Sequence, residues 1–216
     1  MYLAVKRVID FILALVGLIV LLPIFIILII AIKVDSRGPA LFKQKRFGIN
    51  KTYFNILKFR TMRIDTPKDT PTHLLENPEQ YLTKIGKFLR KTSLDELPQI
   101  FDILVGSMSI IGPRPALWNQ YNLISERDKY GANDIRPGLS GWAQINGRDE
   151  LPIDIKARLD GEYAQRMSFG LDIKCFFGTI VLVLKHEGVV EGGTGMLEDK
   201  EIEASKVPVS TGQSIK

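Results

Sequence analysis

The sequence predicts an α+β protein. Its expected parts are an N-terminal membrane helix of re-entrant type, amphipathic interfacial helices, and a small domain containing a β-hairpin. Three observations predict this architecture. Phe11 to Ile32 is a run of 22 residues without a charge. Leu41–Phe47 and Tyr53–Phe59 flank the turn-forming stretch Gly48-Ile49-Asn50-Lys51. Further on, apolar residues recur at helical spacing in several separate segments.

Charge and composition narrow the field. The 216 residues include 29 Lys and Arg against 24 Asp and Glu, a net charge of +5. Residues 1–100 carry 16 basic and 8 acidic side chains (+8), and residues 101–216 carry 13 and 16 (−3). The basic half also holds the apolar run, which points to anionic, membranous partners. The single cysteine, Cys175, excludes an intrachain disulfide framework and a multi-cysteine metal site, and fits a reducing compartment. His73 and His186 lie far apart, which argues against a histidine metal centre.

The apolar run is long for a signal peptide, and the flank Lys33-Val34-Asp35-Ser36-Arg37 offers no small-residue cleavage site. At about 1.5 Å per residue it could cross a hydrocarbon core of about 30 Å. Lys6 and Arg7 precede it, while Lys33, Arg37, Lys43, Lys45 and Arg46 follow it. The positive-inside rule therefore places both ends on the cytoplasmic side. Pro23, near the middle, removes a backbone hydrogen bond and is the expected break between two short arms. A spanning helix with a tolerated proline fits the same residues; the charge pattern favours the re-entrant form. Residues 1–37 are thus read as the membrane segment, 38–195 as a cytoplasmic domain, and 196–216 as a polar, disordered tail.

After the hairpin, Ile64 to Pro78 is rich in Thr, Pro, Asp and Asn and reads as an exposed loop. Leu82, Ile85, Phe88 and Leu89 define an amphipathic basic helix with Lys84, Lys87, Arg90 and Lys91 on its other faces. Such a helix either lies on an anionic membrane surface or packs on the domain with its lysines in water. Ser93-Leu94-Asp95-Glu96 matches a capping box, followed by the apolar face Ile100, Phe101, Leu104 and Val105. Pro98 best suits a first helical turn, so that helix starts between Leu94 and Pro98. Ser109–Ile111 is a short strand. Ile155, Leu159 and Tyr163 mark another helix. Ile173, Phe176, Phe177, Ile180, Val181 and Leu184 mark a last one, too short to span a membrane and read as core or interfacial.

Asp95-Glu96 would by itself be read as helix capping, since acidic residues in a first turn offset the helix dipole. The surroundings favour chemistry. Lys58-Phe59-Arg60, Arg90, Gly112-Pro113-Arg114-Pro115 and the glycine-rich stretch Arg136 to Arg148 supply four basic elements with constrained backbones. Together they suit an anion such as a phosphate.

These residues also carry a resemblance. Lys58-Phe59-Arg60-Thr61-Met62, Ser93 to Gln99, Ile111 to Pro115 and Arg136 to Arg148 resemble, in order, the signatures of the monotopic bacterial sugar transferases. These are the small polyprenyl-phosphate phosphoglycosyl transferases that begin capsule, exopolysaccharide and glycan assembly. The likeness covers residues 1 to about 190. It implies that Asp95 is the nucleophile toward a UDP-sugar, releasing UMP, and that the phosphosugar then passes to undecaprenyl phosphate. It further implies that Glu96 helps hold Mg2+ and that Arg90, Arg114 and Arg148 lie around the phosphates; Lys58 and Arg60, at the end of the second strand, add two cations to that site by their position alone. The implied location is the bacterial inner membrane, with the catalytic domain on the cytoplasmic face and membrane lipid as a partner. The family often has Ser-Pro at the helix break where this chain has Leu22-Pro23. Two other readings share the residues: a non-catalytic, membrane-anchored basic scaffold, and transfer of the sugar alone with release of UDP. No nucleic-acid partner is expected, because the basic–aromatic stretch from Lys43 to Arg60 is short and strand-like. The broad apolar segment would also support a homodimer.

Overall fold

The computed structural model describes residues 2–66, 78–147 and 151–185. The first element, α1 (Tyr2–Asp35), begins nine residues before the apolar run and is long and apolar enough to cross a membrane. Helix continues through Pro23, so the proline does not divide α1 into two elements. Lys6, Asp10, Ala14, Gly17, Leu21, Phe25, Leu28 and Ile32 recur every three or four residues and form one stripe against the rest of the molecule. Between them, Val8, Ile12, Ile19, Val20, Ile27 and Ile30 point outward and are more than half exposed. The helix is therefore docked along one face and apolar on its open faces, which water would not favour.

The hairpin forms as the sequence predicts. Strands β1 (Leu41–Phe47) and β2 (Tyr53–Phe59) pair antiparallel from Leu41↔Phe59 to Phe47↔Tyr53. Asn50 and Lys51 take left-handed conformations in the turn, with φ of 51° and 61°. Ile64 and Asp65, at the start of the expected loop, are exposed, and residues 67–77 lie outside the described residues.

The basic helix is α2 (Lys84–Lys91), shorter than its apolar pattern because Leu82 bridges to Met62. Thr83 Oγ1 caps it by accepting from Gly86 N at 2.9 Å. A Cβ on Gly86 would stand 1.9 Å from Thr61 O, so glycine is needed for α2 to lie against the strand exit. Leu89 is fully buried while Lys84, Lys87 and Phe88 are exposed.

Helix α3 (Gln99–Val105) starts only after Pro98. The expected capping box does not form: Ser93 makes no side-chain cap and sits left-handed at φ 57°. Leu94–Glu96 is a separate 3-10 turn. Strand β3 (Ser109–Ile111) then pairs in parallel with β4 (Gly138–Ser140). The glycine-rich stretch thus supplies a strand here, with Gly138 and Gly141 so close to Gly112 that a Cβ on either would collide with its backbone.

Helices α4 (Tyr121–Asp128), α5 (Trp142–Ile145) and α6 (Ile153–Arg166) complete the domain. A buried pair, Arg127 with Asp160, joins α4 to α6 at 2.6 and 2.8 Å. The last described helix, α7 (Phe169–Lys185), buries Cys175 and turns Phe169, Ile173, Phe176, Phe177, Ile180 and Val181 outward. Burial, with Asp172 adding to it, pushes the Cys175 thiol up to about 11, so it stays protonated and inert near neutrality. His73, His186 and the 196–216 tail lie outside the described residues.

Candidate active site

The turn Leu94–Glu96 is held between two rigid supports. Upstream, α2 ends at Lys91 and the left-handed Ser93 reverses the chain. Downstream, Pro98 and α3 follow without slack. This places Asp95 and Glu96 against the last residues of β2, so that Lys58 reaches both. Lys58 Nζ donates to Glu96 Oε1 at 2.7 Å and lies 4.0 Å from Asp95 Oδ2. Arg114, three residues past β3, grips Glu96 with a two-pronged contact: Nη1 donates to Oε2 at 3.1 Å and Nη2 to Oε1. Arg90 donates from Nε to Thr61 Oγ1 at 3.0 Å, and its charge acts on Asp95.

The two carboxylates consequently differ. Burial works to raise both. At Glu96 it is outweighed by Arg114 and Lys58, which hold that carboxyl well below the usual range. At Asp95 burial wins: despite Lys58, Arg90 and Arg114, the carboxyl stays above its ordinary value, and the neighbouring Glu96 charge adds to the rise. Glu96 is an ionised carboxylate held by Lys58 and by both Nη groups of Arg114. Asp95 is a desolvated carboxylate, 9% exposed, and Lys58 stands farther from it than from Glu96, at 4.0 Å against 2.7 Å.

Of the seven residues the sequence singled out around the phosphates and the carboxylate pair, the structure brings five together: Lys58, Arg90, Asp95, Glu96 and Arg114. Arg60 goes elsewhere. It is buried, and its guanidinium donates to Arg37 O at 2.7 Å, Ser36 O at 2.8 Å and Ser36 Oγ at 2.8 Å, tying the end of α1 to the hairpin. Arg148 lies outside the described residues. Arg136, in the same stretch, donates from Nε to Gly106 O at 3.0 Å.

Two buried acids bordering the site were missed by the sequence reading. Asp102 Oδ2 accepts from Leu57 N at 2.9 Å, next to Lys58 in the chain. Asp10 Oδ2 accepts from Ser109 Oγ at 2.6 Å and its Oδ1 from Ile110 N at 3.2 Å, on the strand leading to Arg114. The available signal was an acid on an otherwise apolar face: Asp102 among Ile100, Phe101, Leu104 and Val105, and Asp10 one residue before the uncharged run.

Among the described residues no group of three or more His, Cys, Asp and Glu forms a metal cage. The adjacent carboxylates nevertheless fit Mg2+ as a partial oxygen shell, because that ion commonly takes one or two carboxylates and completes its sphere with substrate phosphate and water. Glu96 Oε2 accepts a single guanidinium contact, which leaves a carboxylate lone pair for such a ligand bond.

Fold and site together define an α+β domain with a docked apolar helix and a charge-compensated carboxylate pair. The chain belongs to the bacterial sugar transferase family, whose model matches residues 1–186. It is 42% identical over 185 residues to the undecaprenyl-phosphate glucose phosphotransferase of Komagataeibacter xylinus, a match covering 81% of this chain and 35% of that protein. It is 38% identical over 183 residues to the UDP-glucose:undecaprenyl-phosphate glucose-1-phosphate transferase of Escherichia coli K12, covering 81% and 39%. With the exopolysaccharide production protein PSS of Rhizobium leguminosarum bv. phaseoli it shares 35% identity over 195 residues, covering 84% and 96%. The chain therefore spans well under half of the first two relatives and nearly all of the third.

Proposed function

We propose that this protein transfers a phosphosugar from a UDP-sugar to undecaprenyl phosphate at a membrane surface, through a covalent intermediate on Asp95. The observation that carries the reading is the unequal fate of two neighbouring carboxylates. Environments that push a pair of titratable groups apart assign them different tasks. Glu96, ionised and gripped by Arg114 and Lys58, suits a fixed electrostatic post. Asp95, poorly solvated and more loosely held, suits a nucleophile, because a carboxylate that has already shed water reacts without first losing it.

In this reading an Asp95 Oδ attacks the sugar-bearing phosphorus. The bond from that phosphorus to the oxygen bridging the diphosphate breaks, and UMP departs with the electron pair. A phosphate oxygen of the lipid acceptor then attacks the same phosphorus, and Asp95 leaves as carboxylate. Lys58, Arg90 and Arg114 offset the negative charge that gathers as one anion approaches another. Glu96, with Asp95 beside it, would hold Mg2+, which when bound supplies further positive charge for the diphosphate oxygens. The open apolar faces of α1 and α7 suit a lipid surface, where an acceptor with a long hydrocarbon chain presents its phosphate. The names of the Komagataeibacter and Escherichia relatives recommend glucose as the first sugar to try.

The test is nucleotide release from a panel of UDP-sugars, including UDP-glucose and UDP-galactose, with Mg2+ and undecaprenyl phosphate. UMP is expected from at least one donor. Asp95→Asn should lower its release by about a thousand-fold or more while the protein stays folded by circular dichroism. Full activity in that variant would sink the nucleophile assignment, and UDP in place of UMP would make the reaction a simple glycosyl transfer. Excess EDTA should abolish release, and activity undiminished by it would remove Mg2+ from the scheme.

A further inference from the structure

We propose that Asp10, braced by Lys6 in the opening turns of α1, is a positioning residue for Arg114, so that the membrane helix sets the grip on Glu96. The proposal rests on the reading of Asp95 and Glu96 as the reactive pair.

Strand β3 has three residues and two edges. One edge belongs to β4, where Ser109 N donates to Pro137 O at 2.9 Å and Gly112 N to Ser140 O at 2.8 Å. Ile110 N faces the other way, where the described residues supply no third strand. Asp10 takes that strand's place: its Oδ1 accepts from Ile110 N and its Oδ2 from Ser109 Oγ. At 4% exposure the carboxylate has almost no contact with solvent. The next residue is held from the same helix through relays. Tyr163 Oη lies 3.2 Å from Ile111 O and donates to Asp172 Oδ1 at 2.6 Å. The other Asp172 oxygen accepts from Tyr2 Oη at 2.7 Å and from Lys6 Nζ, and Lys6 Nζ also lies 4.0 Å from Asp10. Lys6 thus stands between two acids that between them hold all of β3.

The residues after β3 carry its placement to the site. A Cβ on Gly112 would stand 2.5 Å from Arg136 O, Pro113 has its φ fixed by the ring, and Pro113 O accepts from Gly138 N at 2.9 Å. Arg114 comes next. A strand shifted by about 1 Å would carry the guanidinium off Glu96, and errors of that size at a reacting site cost about 100-fold in rate. Two buried charges on the docked stripe of α1, where the other buried residues are apolar, are a poor source of stability compared with hydrophobic side chains of similar size. Positioning gives them a reason to be there.

The test uses the full chain in lipid nanodiscs, with wild type, Asp10→Ala, Asp10→Asn, Arg114→Lys and the Asp10→Ala/Arg114→Lys double variant. Two readouts are taken: peptide-resolved amide hydrogen exchange, and kcat and KM for nucleotide release from the active UDP-sugar. Asp10→Ala should speed exchange at residues 109–116, leave α6 unchanged, and lower kcat about 10- to 100-fold. Asp10→Asn keeps an acceptor for Ile110 N–H and should recover both readouts. The double variant should be no slower than Arg114→Lys alone, because both changes act on one contact. Unaltered exchange in Asp10→Ala, or losses of rate that multiply in the double variant, would overturn the proposal. Should Asp10→Ala fail to fold, Ser109→Ala removes only the hydroxyl contact and carries the same test with a smaller effect. A wild type that releases no nucleotide from any donor defeats the transfer reading, and the exchange data still decide the placement.

Discussion

Asp95, Glu96 and Asp102 lie within eight residues, and their surroundings give them three different chemistries. Glu96 is kept ionised by a lysine and an arginine, Asp95 is desolvated beside them, and Asp102 is buried with one backbone N–H. Burial raises the Asp102 carboxyl from an ordinary 3.8 to about 6, with the Leu57 N–H holding it back only in part. The folded protein therefore keeps this proton between about pH 4 and 6, where the unfolded chain has lost it. The stability it contributes is fullest below pH 4, declines as pH rises to about 6, and is gone above. Asp102→Asn keeps an acceptor for Leu57 N–H and cannot titrate. The melting midpoint of the variant minus that of wild type should accordingly climb from pH 4 to about pH 6.5 and then level off, as read by thermal scans across that range. A difference that does not change with pH would show that Asp102 is not protonated in the folded state. Ser93 makes a second residue-scale case. A β-branched side chain is poorly tolerated at its left-handed φ of 57°, so Ser93→Val should cost about 1–3 kcal/mol in denaturant unfolding.

Elements with a strong period were legible in the sequence. The hairpin falls on its expected residues because alternation and a turn signal agree, and α6 and α7 follow their apolar spacing. The elements missed are those whose reason lies elsewhere in the fold. Strand β4 is three residues with glycine at its start, and it exists because β3 offers an edge. Helix α4 has a polar sequence and depends on the Arg127–Asp160 pair for its place. The site was half legible: Lys58, Arg90, Arg114 and the Asp95-Glu96 pair could be named from the chain. The diversion of Arg60 to carbonyls at the end of α1 could not, because an arginine on a strand looks the same in sequence whether it faces a ligand or a carbonyl. That diversion predicts an element-level effect. Arg60→Met removes the three contacts to Ser36 and Arg37, and limited proteolysis should then cut between Asp35 and Leu41, where wild type resists.

Across the whole molecule, both ends of α1 bind the same domain. Tyr2 and Lys6 meet Asp172, while Asp35 accepts from Ile85 N at 3.0 Å and Ser36 and Arg37 meet Arg60. A helix fastened at both ends to one domain is expected to present those ends on one side of a bilayer. Leu3 and Val34 are exposed near the two ends and make suitable probes. In a Cys175→Ala background, Leu3→Cys and Val34→Cys should both resist a membrane-impermeant thiol reagent added outside intact cells, and both should react after permeabilisation. Labelling of Leu3→Cys from outside would establish a spanning helix. The Lys6–Asp172 contact joins residues 166 apart in the chain. At ribosomal rates of about 5–20 residues per second, roughly 8–33 s separate the synthesis of these partners. For that interval the Lys6 ammonium of α1 has no Asp172 to meet, whereas Asp10 gains its partners on β3 once residues 109 and 110 have been made. Membrane entry by α1 is thus an early, local event, whereas the closure of α7 on the first turns of that helix waits until residue 172 has been made. A nascent chain stalled before residue 172 would be membrane-bound with β3 able to meet Asp10 but with Lys6 still lacking Asp172.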